Sequence, residues 1–227
     1  MTTPELYFEC QLLLNKGGTG LYSDVPVATF VTIFNREQEK WLKLNLPKAA
    51  DTDDIQNFQQ LLVPEYPLVK QDVTSKYVSF LLPEDWFSID QIHPAKATQQ
   101  KVTRNLYVRF IKNKNINELL QDPLNNPSFD WEETFAFVGN EQLHVYYTDF
   151  SIDSISISYY KKPNKIDLIG YTNFDKLPSK TVNSNLDDVY LREILDMTVR
   201  ELQRIFENPQ GFQLAQERIA TETDHTT

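Results

Sequence analysis

The 227-residue chain carries 32 Asp and Glu against 22 Lys and Arg, a formal net charge of −10. That balance argues against nucleic acid as a main ligand, because phosphate recognition needs an excess of basic side chains. Hydrophobic residues make up 41% and aromatics 12%, enough for a real core and outside the composition of disordered chains. A single cysteine, Cys10, excludes an internal disulfide and a cysteine-based metal cluster. Met1 to Glu5 lack the basic start and apolar run of a signal peptide, and no apolar stretch is long enough to cross a bilayer. The expectation is a soluble cytosolic product that makes no contact with membrane.

Taken in order, Pro4 to about Asn15 places Leu6, Cys10, Leu13 and Leu14 at helical spacing. Lys16-Gly17-Gly18-Thr19-Gly20 reads as its terminating turn. A phosphate loop would need a preceding strand and a Gly-Lys-Ser/Thr order, which is absent. Ser23 or Asp24 caps a second helix with Pro26 in its first turn. Val27, Phe30, Val31, Phe34, Gln38, Trp41 and Leu42 form its buried face, while Arg36, Glu37, Glu39, Lys40 and Lys43 form its solvated one. Pro47 is expected to stop it. Thr52 to Leu62 reads as a third helix, with Asp51, Asp53 and Asp54 at its start.

Val63-Pro64-Glu65-Tyr66-Pro67 reads as a linker, after which the period shifts towards two. Strands are expected at Tyr77 to Leu82, Trp86 to Ile92 and Asn105 to Phe110. Glu133 to Val138 and Gln142 to Tyr147 should form a hairpin through Gly139-Asn140, and Ile152 to Tyr159 should be one further strand. Asn115 to Gln121 allows a helical turn or two, and the Asp122 to Ser128 segment is a proline loop. The most regular helix opens at Asp187-Asp188 and places Leu191, Ile194, Leu195, Thr198, Leu202, Ile205 and Phe206 on one stripe. Asn185 and Asp188 resemble a capping box, Pro209 and Gly211 mark the far end, and Thr221 to Thr227 form a polar tail.

Chemistry is harder to find. His93, His144 and His225 are the only histidines, and no Gly-x-Ser-x-Gly elbow accompanies them. Asp51 to Asp54 lack the spacing and glycine of a calcium loop, and Asp149, Asp153, Glu84 and Asp85 sit where turns place acidic residues. Tyr146-Tyr147, Tyr159-Tyr160, Trp86-Phe87, Phe129 and Trp131 would suit a sugar groove, the stacking of bases or a protein interface. Lys161, Lys162 and Lys165 form the one compact basic cluster; they are either a solvated turn or a charge-complementary contact with an acidic neighbour.

Several segments in order resemble the neck or ring (head–tail connector) proteins of tailed bacteriophages, in particular those of crAss-like podoviruses. Ser23 to Trp41, with Asn35 and Gln38 at its seam, is similar to the family's early helix. Leu61 to Pro64 and Val78 to Trp86 resemble a strand ending in Leu-Pro before an acidic-aromatic turn. Asp122-Pro123 with Asn126-Pro127-Ser128 is similar to its proline loop, and Leu143 to Tyr146 and Ile155 to Ile166 to its final strands. Leu186 to Leu202 resembles its closing helix, with Thr198 where a small apolar residue is more usual. The resemblance implies a non-enzymatic virion structural protein without cofactor or metal. It implies a dodecameric ring of identical copies, stacked between portal and adjacent ring or tail proteins, with genomic DNA passing through the lumen without specific binding.

The expected fold is therefore α+β: a helical module with an inserted, mainly antiparallel β domain. Residues 1–65 form its N-terminal helical part, 66–170 the β-rich domain, and 171–227 the C-terminal helix that completes the module. The expected location is the virion neck or tail, after synthesis in the host cytoplasm. Tyr160, Lys161, Lys162 and Lys165 are the candidate interface residues. The alternative is a tail-associated module that recognises carbohydrate or a host surface through exposed aromatics.

Overall fold

A computed structural model describes residues 1–15, 25–50, 58–111, 116–122, 124–172 and 177–207. In chain order the elements are α1 (Thr3–Asn15), α2 (Val27–Ala50), β1 (Leu62–Pro67), β2 (Val69–Val73), β3 (Tyr77–Leu81) and β4 (Trp86–Ile92). They continue with β5 (Ala95–Gln99), β6 (Val102–Phe110), α3 (Ile116–Gln121), β7 (Glu133–Gly139) and β8 (Gln142–Tyr146). β9 (Ser151–Ser154), β10 (Ser156–Lys161) and α4 (Asp188–Glu207) are the last of the described elements. The architecture is α+β, with helices at both ends and a mainly antiparallel β region between them. Two compact units result, Met1–Gln60 with Pro163–Thr227, and Leu61–Lys162. The expected glycine turn after α1, the Ser23/Asp24 cap, Asp51 to Asp54, Pro209, Gly211, His225 and the polar tail lie outside the described residues.

In the helical unit, α4 packs against α1 and α2. Leu6, Cys10 and Leu14 of α1, Phe30, Phe34, Trp41 and Leu42 of α2, and Leu191, Ile194, Leu195 and Leu202 of α4 are buried, the stripes that the 3/4 spacing requires. Thr2 and Glu5 form a reciprocal capping box at α1: the Thr2 N–H donates to Glu5 Oε2 at 2.7 Å and the Glu5 N–H to Thr2 Oγ1 at 3.5 Å. Those donors hold the Glu5 carboxyl below its usual range. Thr198, wholly buried, returns its hydroxyl to the Ile194 carbonyl at 2.8 Å, so a polar side chain is accommodated in the apolar stripe. The connection after Pro163 is stitched to α2. Asn35 exchanges two hydrogen bonds with Ile166 at 2.8 and 2.9 Å, and Gln38 donates to the Asn164 carbonyl while accepting from Ser184.

Three helical expectations are corrected. Pro47 does not stop α2 but lies inside it, near the last turn, where its missing N–H removes a single ladder bond. Asn185 is not the cap of α4; its Oδ1 accepts the Asn164 N–H at 2.8 Å, and the helix begins at Asp188. Phe206 is 39% exposed rather than buried in the stripe.

Glu37 is also not on a solvated face. It is 3% exposed, with Arg36 donating to Oε1 and Lys40 to Oε2 at 3.1 Å. Arg36 also reaches Glu201 of α4 at 2.8 Å, and Arg204 meets the same Glu201 oxygen at 2.7 Å. Partial burial alone would raise the Glu201 carboxyl, but the two guanidiniums outweigh it and hold it low. A depressed carboxylate contributes stability above its unfolded range and loses it as pH falls through the folded one. Glu201→Gln is therefore expected to lose about 1 kcal/mol near neutral pH, discounted for the exposed arginines, with the deficit shrinking in acid. Urea denaturation of both proteins at several pH values measures this; a pH-independent deficit would contradict it.

In the β unit, seven strands run in the order β2-β3-β8-β7-β6-β5-β9 and three in the order β1-β10-β4. All pairings are antiparallel except β6 with β7, whose connection passes through α3. β1 runs almost directly into β2 and β9 into β10, so the two sheets share their corners. At that joint the Leu68 N–H donates to the Ile155 carbonyl at 3.0 Å and Lys70 Nζ to the Ile152 carbonyl at 2.8 Å. The sheets close on a common core that includes Val78, Phe80, Leu106, Leu143, Val145, Ile152, Ile157 and Tyr159. On the other face of β7 and β8, Phe135, Phe137 and Tyr146 pack with Tyr77 and with Ile116, Leu119 and Leu120 of α3.

Here too the structure corrects the reading. Val63 to Pro67 is not a linker but most of β1, an edge strand in which Pro64 lacks no needed ladder bond. A bulge separates Val63 from Tyr66; Glu65 adopts φ 47° there and its N–H turns to Ser158 Oγ at 3.2 Å. Leu62 opens β1 instead of ending a helix. Ile152 to Tyr159 is not one strand: it breaks at Ile155, and its halves enter different sheets. β2 and β5 are additional. The β7–β8 hairpin turns at Asn140-Glu141, one residue later than expected, with both φ positive at 51° and 59°.

Candidate functional site

Of the four candidate interface residues, Tyr160 is 5% exposed in the central strand β10, and burial, with Asp90 beside it, pushes its hydroxyl up. It is buried within the sheet in this fold. Lys161 is half-buried and Lys162 exposed where β10 ends. Lys161 pairs with Trp86 across the ladder, and the Lys162 N–H donates to the Asp85 carbonyl at 2.7 Å. The backbone beneath both ammonium groups is thus fixed. Lys165 is exposed in the connection that belongs to the helical unit.

The structure brings together two serine–histidine pairs that spacing in the chain does not reveal. Ser79 and His144 face each other across β3 and β8, with Oγ 3.0 Å from Nδ1; Nε2 donates to the Gly139 carbonyl at 3.2 Å. The carbonyl requires a proton on Nε2, so in the neutral ring Nδ1 accepts from the serine hydroxyl. Ser158 Oγ lies 2.8 Å from His93 Nε2 and also receives the Glu65 N–H. Either imidazole has the geometry to draw a proton from its serine. Ser79 is only 2% exposed and Ser158 6%, so neither hydroxyl is offered to a substrate in this conformation. The His144 ring is packed between Phe137 and Tyr77, with centroids 4.8 Å away in each case, which is a core setting.

The remaining candidates resolve into local structure. Asp149 takes a 2.7 Å hydrogen bond from Gln99, and Asp153 one of 2.6 Å from Thr98, so both tie β9 and its approach to β5. Asp85 accepts the Tyr159 hydroxyl at 2.9 Å; burial and that carboxylate raise the phenol. Burial pushes the Cys10 thiol up to about 12, which leaves no nucleophilic thiolate near neutral pH. Among the described residues no three His, Cys, Asp or Glu side chains gather as metal ligands, and no helix is long and apolar enough to cross a membrane.

The aromatic candidates divide sharply. Phe129, Tyr146, Tyr159 and Tyr160 are buried, and Trp86, Phe87 and Tyr147 are half-buried. Trp131 is 63% exposed, and so is Tyr107, which sequence reasoning did not nominate because the same β6 alternation buries Leu106 and Val108. The two are linked through the backbone, since the Tyr107 N–H donates to the Glu132 carbonyl at 2.7 Å. The Trp131 loop is closed at its base by two Ser128–Glu133 backbone bonds of 2.9 and 3.1 Å. Arg104 braces it from below. Its guanidinium lies 5.0 Å over the Phe129 ring, donates to the Phe129 carbonyl and approaches Glu132 at 3.6 Å. Asp130, Glu132 and Glu133 flank the tryptophan, all exposed.

No protein-family model matches the chain, and no curated protein matches it.

Proposed function

We propose that this chain is a structural protein of a tailed-phage virion, a subunit of a ring in the neck or tail that joins portal to tail and surrounds the DNA passage. The observation that carries the reading is the order of the parts. A β unit, Leu61–Lys162, interrupts a helical unit, and β1 and β10, the strands that begin and end it, are paired to each other. Connector rings of the type the sequence resembles have this plan. Exposed side chains at Trp131, Tyr107 and Lys162, with half-buried Lys161 next to Lys162, are of the kind that ring contacts use. The net charge of −10 suits a lumen through which DNA slides without adhering. The ring is dodecameric, and its location is the assembled virion.

Trp131 and Tyr107 also favour a second reading, a tail-associated module that holds a glycan against exposed aromatic rings. Native mass spectrometry and light scattering, with and without the portal protein on which the ring assembles, separate the two. The ring reading expects closed particles of many protomers, or their appearance on the portal. A chain that stays monomeric beside portal and tail proteins and binds oligosaccharides would overturn it in favour of the second.

A further inference from the structure

We propose that the Trp131 loop of one copy of this chain docks against Lys161 and Lys162 of the next, so that the β unit carries both halves of a head-to-tail contact. This rests on the ring reading and names the surfaces that would make it. The loop offers an exposed tryptophan between Asp130 and Glu133, two exposed carboxylates that form no ion pair among the described residues. Glu132, the third, is already turned towards Arg104. Because the loop is closed at its base and braced by Arg104, little order remains to be imposed when a partner arrives. Rigid Trp with neighbouring Tyr is the composition of binding hot spots.

Lys161 and Lys162 complement it. Their ammonium groups make no hydrogen bond or ion pair among the described residues, and their backbone is pinned by β4 and by the Asp85 carbonyl. Asp85, whose carbonyl receives the Lys162 N–H, has its carboxylate engaged by the Tyr159 hydroxyl. Two adjacent lysines on a chain with ten more acidic than basic groups find their best complement in that chain's own surface. Lysine stems and ammonium groups also pack favourably on an indole face. The two patches sit on different sheets, the loop leading into β7 and the lysines ending β10, so they are distinct surfaces. A contact between unlike surfaces is heterologous, the kind that closes rings.

A charge exchange tests this. The pair Lys161→Glu and Lys162→Glu makes one variant, and Asp130→Lys and Glu133→Lys makes the other. All four side chains lie outside the core, so each variant should keep the wild-type melting curve. Each alone, studied with wild type by native mass spectrometry and sedimentation on the portal platform, is expected to self-associate at least about tenfold more weakly, because like charges then face each other. Mixed in equal amounts they should assemble again, with the two variants alternating, since every contact regains opposite charges. Assembly of either variant like wild type, or failure of the mixture to recover, overturns the surface assignment while leaving the ring reading in place. A wild-type chain that never associates, free or on portal, overturns both.

Discussion

Leu195→Asp is expected to yield no cooperatively folded helical unit. Leu195 is 1% exposed on α4, in the same stripe as Leu191, Ile194, Val199 and Leu202. Removing the leucine forfeits about 1.5–3 kcal/mol of apolar burial. The carboxylate that replaces it must either stay charged without a partner or take up a proton at further cost, so the total should exceed about 4 kcal/mol. That is comparable with the whole stability of many domains, roughly 5–15 kcal/mol. Arg200→Asp, on the exposed side of the same helix, is the control and should change stability by about 1 kcal/mol or less. Circular dichroism melts of the soluble fractions compare them. A normal cooperative transition for Leu195→Asp would mean that the buried face of α4 is assigned wrongly.

The same stripe explains what was readable in the sequence. α2 and α4 are long, their apolar residues recur at 3.6-residue spacing, and that period survives any tertiary detail. Glu37 escaped because burial of a carboxylate depends on cations supplied by Arg36 and Lys40, and composition marks it as surface. Pro47 shows the same limit: proline excludes a ladder donor, but near a helix end little depends on that donor.

Strands were less legible because their signals are shorter and partners decide them. β1 contains two prolines and reads as a connection until β10 is placed beside it. β5 and β6 join through Gln100-Lys101, both in the left-handed region at φ 47° and 72°, without the glycine or asparagine that announces such a turn. The break between β9 and β10 at Ile155 keeps an apolar residue in the alternation, so nothing local reports the change of sheet. Of the candidate site, the lysine pair and Trp131 were visible as residue types. The exposure of Trp131 was not, since Phe129 two residues earlier is also aromatic and is buried, as is Tyr160 beside the lysines. The two serine–histidine pairs exist only through cross-strand register, a property of the assembled sheet.

Residues Leu61–Lys162, expressed without the rest of the chain, are expected to fold cooperatively, and Phe80→Ala is expected to unfold them. The unit has its own core, and Leu62 pairs with Tyr160, so excision leaves both ends inside one ladder instead of tearing a sheet. Phe80 is 0% exposed on β3, with Lys70 and Leu143 as its cross-strand partners, and its ring fills the space shared by the two sheets. A phenylalanine truncated there removes apolar burial and leaves a cavity, a loss of about 3–5 kcal/mol. A small β unit that has given up its covalent neighbours has little stability in reserve, so a loss of that size should empty the native state. Tyr107→Ala is the matching control, because its ring is exposed and its removal should change stability by about 1 kcal/mol or less. Urea titration followed by tryptophan fluorescence distinguishes them, since Trp86 packs against the core while Trp131 reports from the surface. If the excised unit shows no transition, its core is not self-sufficient. If Phe80→Ala melts like wild type, the two sheets do not close on that ring.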